Sequence, residues 1–185
     1  PKGYKLVLLN SQVKHDLASS AYNDRRKSCE NVVAAMKKHW PNVDSLRDAT
    51  YDMLDEVRPE VSEEDALRAK YVIGEKYRVL EVCVALEEGD YEEVGKKMYE
   101  THYGLSKEYE VSCPEIDFLN DVAHSCGVTG SRIMGGGFGG CTINLVSDDL
   151  YANFIETAKK AYKEKFGKEP IVIDVVIGDG SRKLC

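Results

Sequence analysis

The sequence predicts an α+β domain, an antiparallel sheet covered by helices, occupying residues 1–185 as one unit. Three observations carry this. A β-rich run opens the chain, a long helical middle follows, and the last third reads strand, glycine loop, strand, helix, strand. Neither a low-complexity linker nor an internal repeat divides the chain, and the pattern leaves the order of strands in the sheet open.

The elements follow in order. Tyr4 to Leu9 (YKLVLL) is a short β-rich run closed by the polar pair Asn10-Ser11, read as a buried strand. From about Ser20, Cys29, Val32, Val33, Met36 and Trp40 fall at helical spacing until Pro41 ends the segment. A short helix is expected over Ser45 to Glu56, stopping before Pro59 because a residue preceding proline avoids the α region. Ser62-Glu63-Glu64-Asp65 resembles a capping box, after which Leu67, Tyr71, Tyr77, Leu80, Val84 and Leu86 form a helical stripe up to Gly89.

Asp90-Tyr91-Glu92-Glu93 repeats the capping logic and opens a helix to about Leu105 that carries Val94, Met98 and His102. Ser112-Cys113-Pro114-Glu115 places a serine N-cap before a proline and a glutamate, predicting a helix that stops at Gly127. Ser131 to Met134, Cys141 to Val146 and Ile171 to Ile177 (IVIDVVI) are β-like, with a helix from about Asp149 to Phe166 between the last two.

Composition narrows the function. Of the 185 residues 43% are hydrophobic, enough for a sizeable core, and the 31% charged residues sum to a net charge of −7. A pI near 5.2 argues against nucleic acid or an anionic membrane as partner and favours a small-molecule or protein-facing role. The six cysteines, at 29, 83, 113, 126, 141 and 185, show no CxxC pairing and read as reduced thiols, not as a zinc site or disulfide framework. No apolar run approaches the about 18 residues needed to cross a bilayer, and no cleavable signal precedes the first strand, so a cytoplasmic location is expected. Pro1 in place of an initiator methionine suggests a piece of something longer.

Ser131 to Cys141 devotes five of its eleven positions to glycine. Such loops cradle phosphates because bare N–H groups approach an anion closely, but this one lacks Gly-Lys-Ser/Thr and leads into a strand, whereas a dinucleotide fingerprint leads into a helix. By itself it reads equally as a tight hairpin whose glycines supply positive φ.

Its neighbours are more specific. SRIMGGGFGGCTINLV resembles the third signature motif of the GHMP kinases, a superfamily of small-molecule kinases. Asn10 to Arg26 (NSQVKHDLASSAYNDRR) is similar to the galactokinase segment that reads roughly NSxVxHxLxxSxYNxRR, and Tyr109 to Asp117 (YEVSCPEID) to that family's YxVSxPELD. The likeness runs from the first strand to Asp179-Gly180-Ser181 and matches only the C-terminal half of a galactokinase. It implies a GHMP-kinase C-terminal domain, a ferredoxin-like core with extra helices. It also implies transfer of the γ-phosphoryl of ATP, with Mg²⁺, to the C1 hydroxyl of α-D-galactose. Another acceptor, such as N-acetylgalactosamine, or a sugar-sensing regulatory role remains open.

Most of the machinery that the resemblance implies, including the phosphate loop, the metal ligands and the base, belongs to an N-terminal half outside this sequence. No residue here is therefore assigned to catalysis or to metal, and the chain alone is expected to be inactive. Tyr22 matches the family's sugar-contacting tyrosine. Gly135, Gly136, Gly137, Gly139 and Gly140 match the loop beside the nucleotide, and Lys14 stands where the family often has arginine on that side. His15 reads as a structural imidazole between strand and helix, and Arg25 and Arg26 read equally as phosphate-neutralising or as ordinary ion-pair residues. Asp174 and Asp179 read as edge and turn residues, and Lys159 to Lys168 as a solvated helix face. The implied partners are the missing N-terminal domain, galactose and ATP. The face around Tyr4 to Leu9, Tyr22 and the loop is expected to be apolar enough for artificial self-association.

Overall fold

In a computed structural model, which describes residues 2–14 and 20–181, the chain forms strand β1 (Tyr4–Asn10), helices α1 (Ser20–His39), α2 (Tyr51–Val57), α3 (Glu63–Glu88), α4 (Tyr91–Lys107) and α5 (Pro114–Ser125), strands β2 (Gly130–Met134) and β3 (Cys141–Ser147), helix α6 (Tyr151–Phe166) and strand β4 (Ile171–Val175). The strands lie in the order β2-β3-β1-β4, every neighbouring pair antiparallel. This is the ferredoxin-like arrangement, with α6 as one crossover and five helices inserted where the other crossover stands.

Local chemistry sets most boundaries. Ser62 Oγ accepts from Asp65 N–H at 3.1 Å at the start of α3, and Asp90 Oδ1 accepts from Glu93 N–H at 3.0 Å at the start of α4. Gly89, at φ 74°, closes α3 in the left-handed conformation that only glycine takes without strain.

Four expectations are corrected. The short helix begins at Tyr51, not Ser45, because Asp48 Oδ2 accepts from the N–H groups of Asp44 and Ser45, both at 3.0 Å, and folds that stretch into a turn. The N-cap of α5 is Cys113, not Ser112. The last strand ends at Val175, and Val176 and Ile177 lie beyond it in solvent. The stripe expected on α3 is exposed at Leu67, Leu80, Val84 and Leu86, though Tyr71 is buried and Tyr77 packs on the core as expected; the helix also buries Ala66, Arg68, Ala69, Ile73 and Ala85. Small residues let α1 and α2 approach the first half of α3 closely, and periodicity cannot tell which apolar face will find a neighbour.

Two separate packings support the sheet. Val7 and Leu9 point from β1 into a core closed by Leu119 and Ala123 of α5 and by Phe154, Ala158 and Tyr162 of α6. On the opposite face, α3 and α4 cover only the end of the sheet near Leu6 and Leu145. The register then aligns Leu8 with Ile143 and Ile173, and Asn10 with Cys141 and Ile171. This end is an open apolar surface on which Ile171, Ile173 and Met134 are 49%, 43% and 45% exposed. Five of the cysteines are free thiols, and Cys185 lies outside the described residues. Among the described residues, no helix is long and apolar enough to cross a membrane.

Candidate functional site

The loop between β2 and β3 is left-handed almost throughout, with Gly135, Gly137, Phe138, Gly139 and Gly140 at φ 88°, 86°, 60°, 134° and 78°. Two distant segments fix its inner half. Phe138 N–H donates to Val111 O at 2.6 Å and Gly140 N–H to Val13 O at 3.2 Å, while Gly140 O accepts from Ser11 N–H at 2.9 Å and Ser11 Oγ at 2.8 Å. At this spacing no side chain fits: a Cβ at Gly137 would stand 2.3 Å from Val111 O, and one at Gly139 2.8 Å from Val13 O. Gly135 differs, since a Cβ there would meet nothing within 4 Å, and both Gly135 and Gly136 are exposed. The loop therefore has a packed half and an open half. Only the open half has backbone free to approach an anion or a neighbouring domain.

The segments that grip the loop are themselves braced. Arg25 reaches from α1 to donate through Nε to Tyr109 O at 2.8 Å and through Nη2 to Glu110 O at 2.7 Å, and its guanidinium lies 6.0 Å from the centre of the Phe138 ring. Glu110, at φ 54°, has its carboxylate 3.4 Å from Nη2 of buried Arg68, which also donates to Ser28 Oγ at 2.9 Å. On the other side, Tyr162 donates its hydroxyl to Ser11 O at 2.7 Å, and burial pushes that phenol up to about 12. Residues 11–13, 109–111 and 135–140, remote in sequence, thus meet at one place.

The predicted site residues are distributed around this meeting point. Lys14 follows the Val13 carbonyl that holds Gly140 and is exposed. Tyr22, 45% exposed, lies one helical turn before Arg25. His15 lies outside the described residues. Arg26 pairs with Glu30 at 2.8 Å on the surface of α1; Arg25 forms an ion pair with Glu110 at 3.7 Å and is also a backbone clamp, a role its sequence context did not signal because the carbonyls it holds lie about eighty residues away. Asp174 accepts a hydrogen bond from Tyr151. A large surface cleft among the described residues lies elsewhere, between α1, α3 and the turn at 44–47, lined by Cys29, Val33, Leu46, Val72 and Val79.

Sequence reading also passed over a buried polar node under the loop's entry strand. His102 Nδ1 accepts from Ile133 N–H at 3.1 Å, and its Nε2 lies 3.2 Å from Asp117 Oδ1, an ion-pair distance. Burial alone would push the Asp117 carboxyl up. The His102 imidazole and the Ser112 and Ser106 hydroxyls beside it prevail and hold it well below the usual carboxylate range.

Residues 83–164 match the family model for the C-terminal domain of the GHMP kinases, and the chain carries that domain. The particular likeness is to galactokinases. The chain is 41% identical over 184 residues to the galactokinase of Clostridium beijerinckii, covering 98% of this chain and 47% of that protein, and 40% identical over 181 residues to that of Homo sapiens, covering 97% and 44%. The crystal structure of Lactococcus lactis galactokinase complexed with galactose superposes with a TM-score of 0.90 at 29% identity, covering 99% of this chain and 47% of that one. The structure of L. major mevalonate kinase in complex with R-mevalonate, at 21% identity and a TM-score of 0.56, shares the fold. The chain spans about half the length of the curated relatives it matches.

Proposed function

We propose that the chain is the C-terminal half of a galactokinase, whose full-length form transfers the γ-phosphoryl group of ATP to the C1 hydroxyl of α-D-galactose. The observation that carries this reading is the meeting of residues 11–13, Arg25, residues 109–111 and the glycine loop at one place, in a chain similar to galactokinases over 97–99% of its length. Phosphoryl transfer depends mainly on positioning and charge neutralisation. The open backbone at Gly135 and Gly136 and the exposed Lys14 ammonium suit the nucleotide side, while Gly137, Gly139 and Gly140 hold the loop's shape. Tyr22 offers the sugar a flat apolar face and one hydroxyl. By the resemblance to galactokinases, the Mg²⁺ of the reaction is assigned mainly to the N-terminal half.

The test compares two proteins. Supplied with ATP, Mg²⁺ and galactose, the full-length protein is expected to form galactose 1-phosphate and residues 1–185 alone to form none above the blank. Activity of the chain alone at the full-length rate, or a full-length protein inactive on galactose, would sink the reading. In the active full-length protein, Tyr22→Ala is expected to raise KM for galactose by about tenfold, the worth of one good polar contact, and to leave KM for ATP unchanged.

The open sheet face around Leu8, Ile143, Ile171 and Ile173 is the surface proposed to be covered in the full-length protein. Expressed alone, the chain is expected to self-associate through it. Sedimentation velocity of Ile173→Lys, a charge placed on that face, should then show a shift toward monomer, and equal association of both proteins would place the contact elsewhere.

A further inference from the structure

We infer that His102 is a positioning residue for the glycine loop, acting through the backbone amide of Ile133; this rests on the reading that Gly135 and Gly136 face the nucleotide. Strand β2 is an edge of the sheet, pairing with β3 alone, so every second residue turns its backbone groups outward with no strand to receive them. Side chains from two helices take the strand's place. Asn120 of α5 donates Nδ2 to Ser131 O at 2.8 Å, and His102 of α4 accepts Ile133 N–H on Nδ1 at 3.1 Å. Ser131 and Ile133 are the outward-facing pair of the strand, and Ile133 stands two residues before Gly135. The inner half of the loop is anchored to Val13 and Val111 and the strand pairs with β3 up to Met134 and Cys141, so this amide is the outer-edge fixed point nearest the open half.

The chemistry of the node specifies one proton arrangement. A nitrogen that accepts a hydrogen bond carries no proton, so Nδ1 is unprotonated and the ring proton lies on Nε2, which stands 3.2 Å from Asp117 Oδ1 as a close neighbour without hydrogen-bond alignment. Ser106 Oγ holds the other carboxylate oxygen at 2.8 Å. Nδ1 is thereby committed to Ile133, His102 is 5% exposed, and the carboxylate beside Nε2 favours the tautomer that leaves Nδ1 free to accept. A group required only for burial would not need a ring nitrogen set on the free amide of an edge strand.

Two near-isosteres separate positioning from bulk. In His102→Gln the amide stands near the place of Nε2, keeping a donor for Asp117 and leaving Ile133 N–H without an acceptor; in His102→Asn the carboxamide oxygen stands near Nδ1 and restores that acceptor. In the full-length protein, His102→Gln is expected to raise KM for ATP by about tenfold with kcat altered far less, and His102→Asn to recover most of the loss. Deuterium uptake across 133–137 should rise at least about tenfold in rate in His102→Gln and stay unchanged in α6. The imidazole ¹⁵N shifts of the wild-type protein should mark Nδ1 as the unprotonated nitrogen, a readout that needs neither activity nor a variant. A protonated Nδ1, unchanged exchange at 133–137 in folded His102→Gln, or KM for ATP equal in wild type and both variants would each overturn the assignment. A full-length protein inactive on galactose would defeat the functional reading instead, while the exchange and ¹⁵N measurements still decide whether His102 fixes β2.

Discussion

Gly137→Ala is expected to destabilise the domain by about 3 kcal/mol, enough to remove much of the stability of a protein this size. Two costs combine. The residue sits at φ 86°, where an L side chain adds about 1–2 kcal/mol of strain, and its Cβ would press to 2.3 Å of the Val111 carbonyl oxygen, a backbone atom that cannot rotate away. Relieving that contact requires moving the segment that Arg25 clamps, and overpacking of this kind adds about 1–3 kcal/mol. Gly135→Ala is the control. It shares the left-handed backbone, at φ 88°, but opens onto free space, so it should lose only about 1 kcal/mol. Urea denaturation at constant m separates the two, and equal midpoints would show that the close approach to Val111 does not exist. The roles should invert in the full-length protein, where Gly135→Ala, folded and stable, is expected to raise KM for ATP.

Tyr162→Ala should cost about 3–5 kcal/mol, the range for emptying a large aromatic site. Tyr162 is fully buried between the sheet and α5, with its ring 4.7 Å from that of Phe166 and 6.4 Å from that of Phe118. Its hydroxyl holds Ser11 O, which sits beside the Ser11 groups that bond Gly140, so the loss also loosens the anchor of the loop. Tyr162→Phe isolates that share, about 1–2 kcal/mol for a buried carbonyl left without its donor. Thermal melts of the three proteins give the comparison. A Phe variant as unstable as the Ala variant would mean that the hydroxyl, not the ring, carries the site.

What the sequence made legible was local. Ser62, Asp90 and Gly89 announce their helix ends because a cap is settled by residues three or four positions apart. β-rich composition likewise identifies β1 and β3. What it hid was long-range. The outward stripe of α3, the Asp48 turn and the strand order each depend on neighbours that periodicity does not name. At the site, the motifs located the glycine loop, but its division into a packed and an open half follows from Val13 and Val111, and the clamp on Glu110 from an arginine on another helix. The His102 node could have been suspected from a histidine in the helix preceding Tyr109–Asp117, yet nothing in the spacing says that its acceptor edge meets Ile133.

The insertion of five helices between the first two strands also sets the order in which the chain can assemble. The Asn144 side chain bonds the Val7 carbonyl across 137 residues, so β1 waits for its central partner until most of the domain has been synthesised. Closing so long a loop is entropically expensive unless the intervening chain shortens it first. The α1–α2–α3 cluster has a core of its own around Val32, Met36, Leu54 and Ile73, and can form while β1 is still unpaired. During translation this cluster shortens the effective loop, and the nascent protein carries the YKLVLL strand without its central partner until β3 emerges.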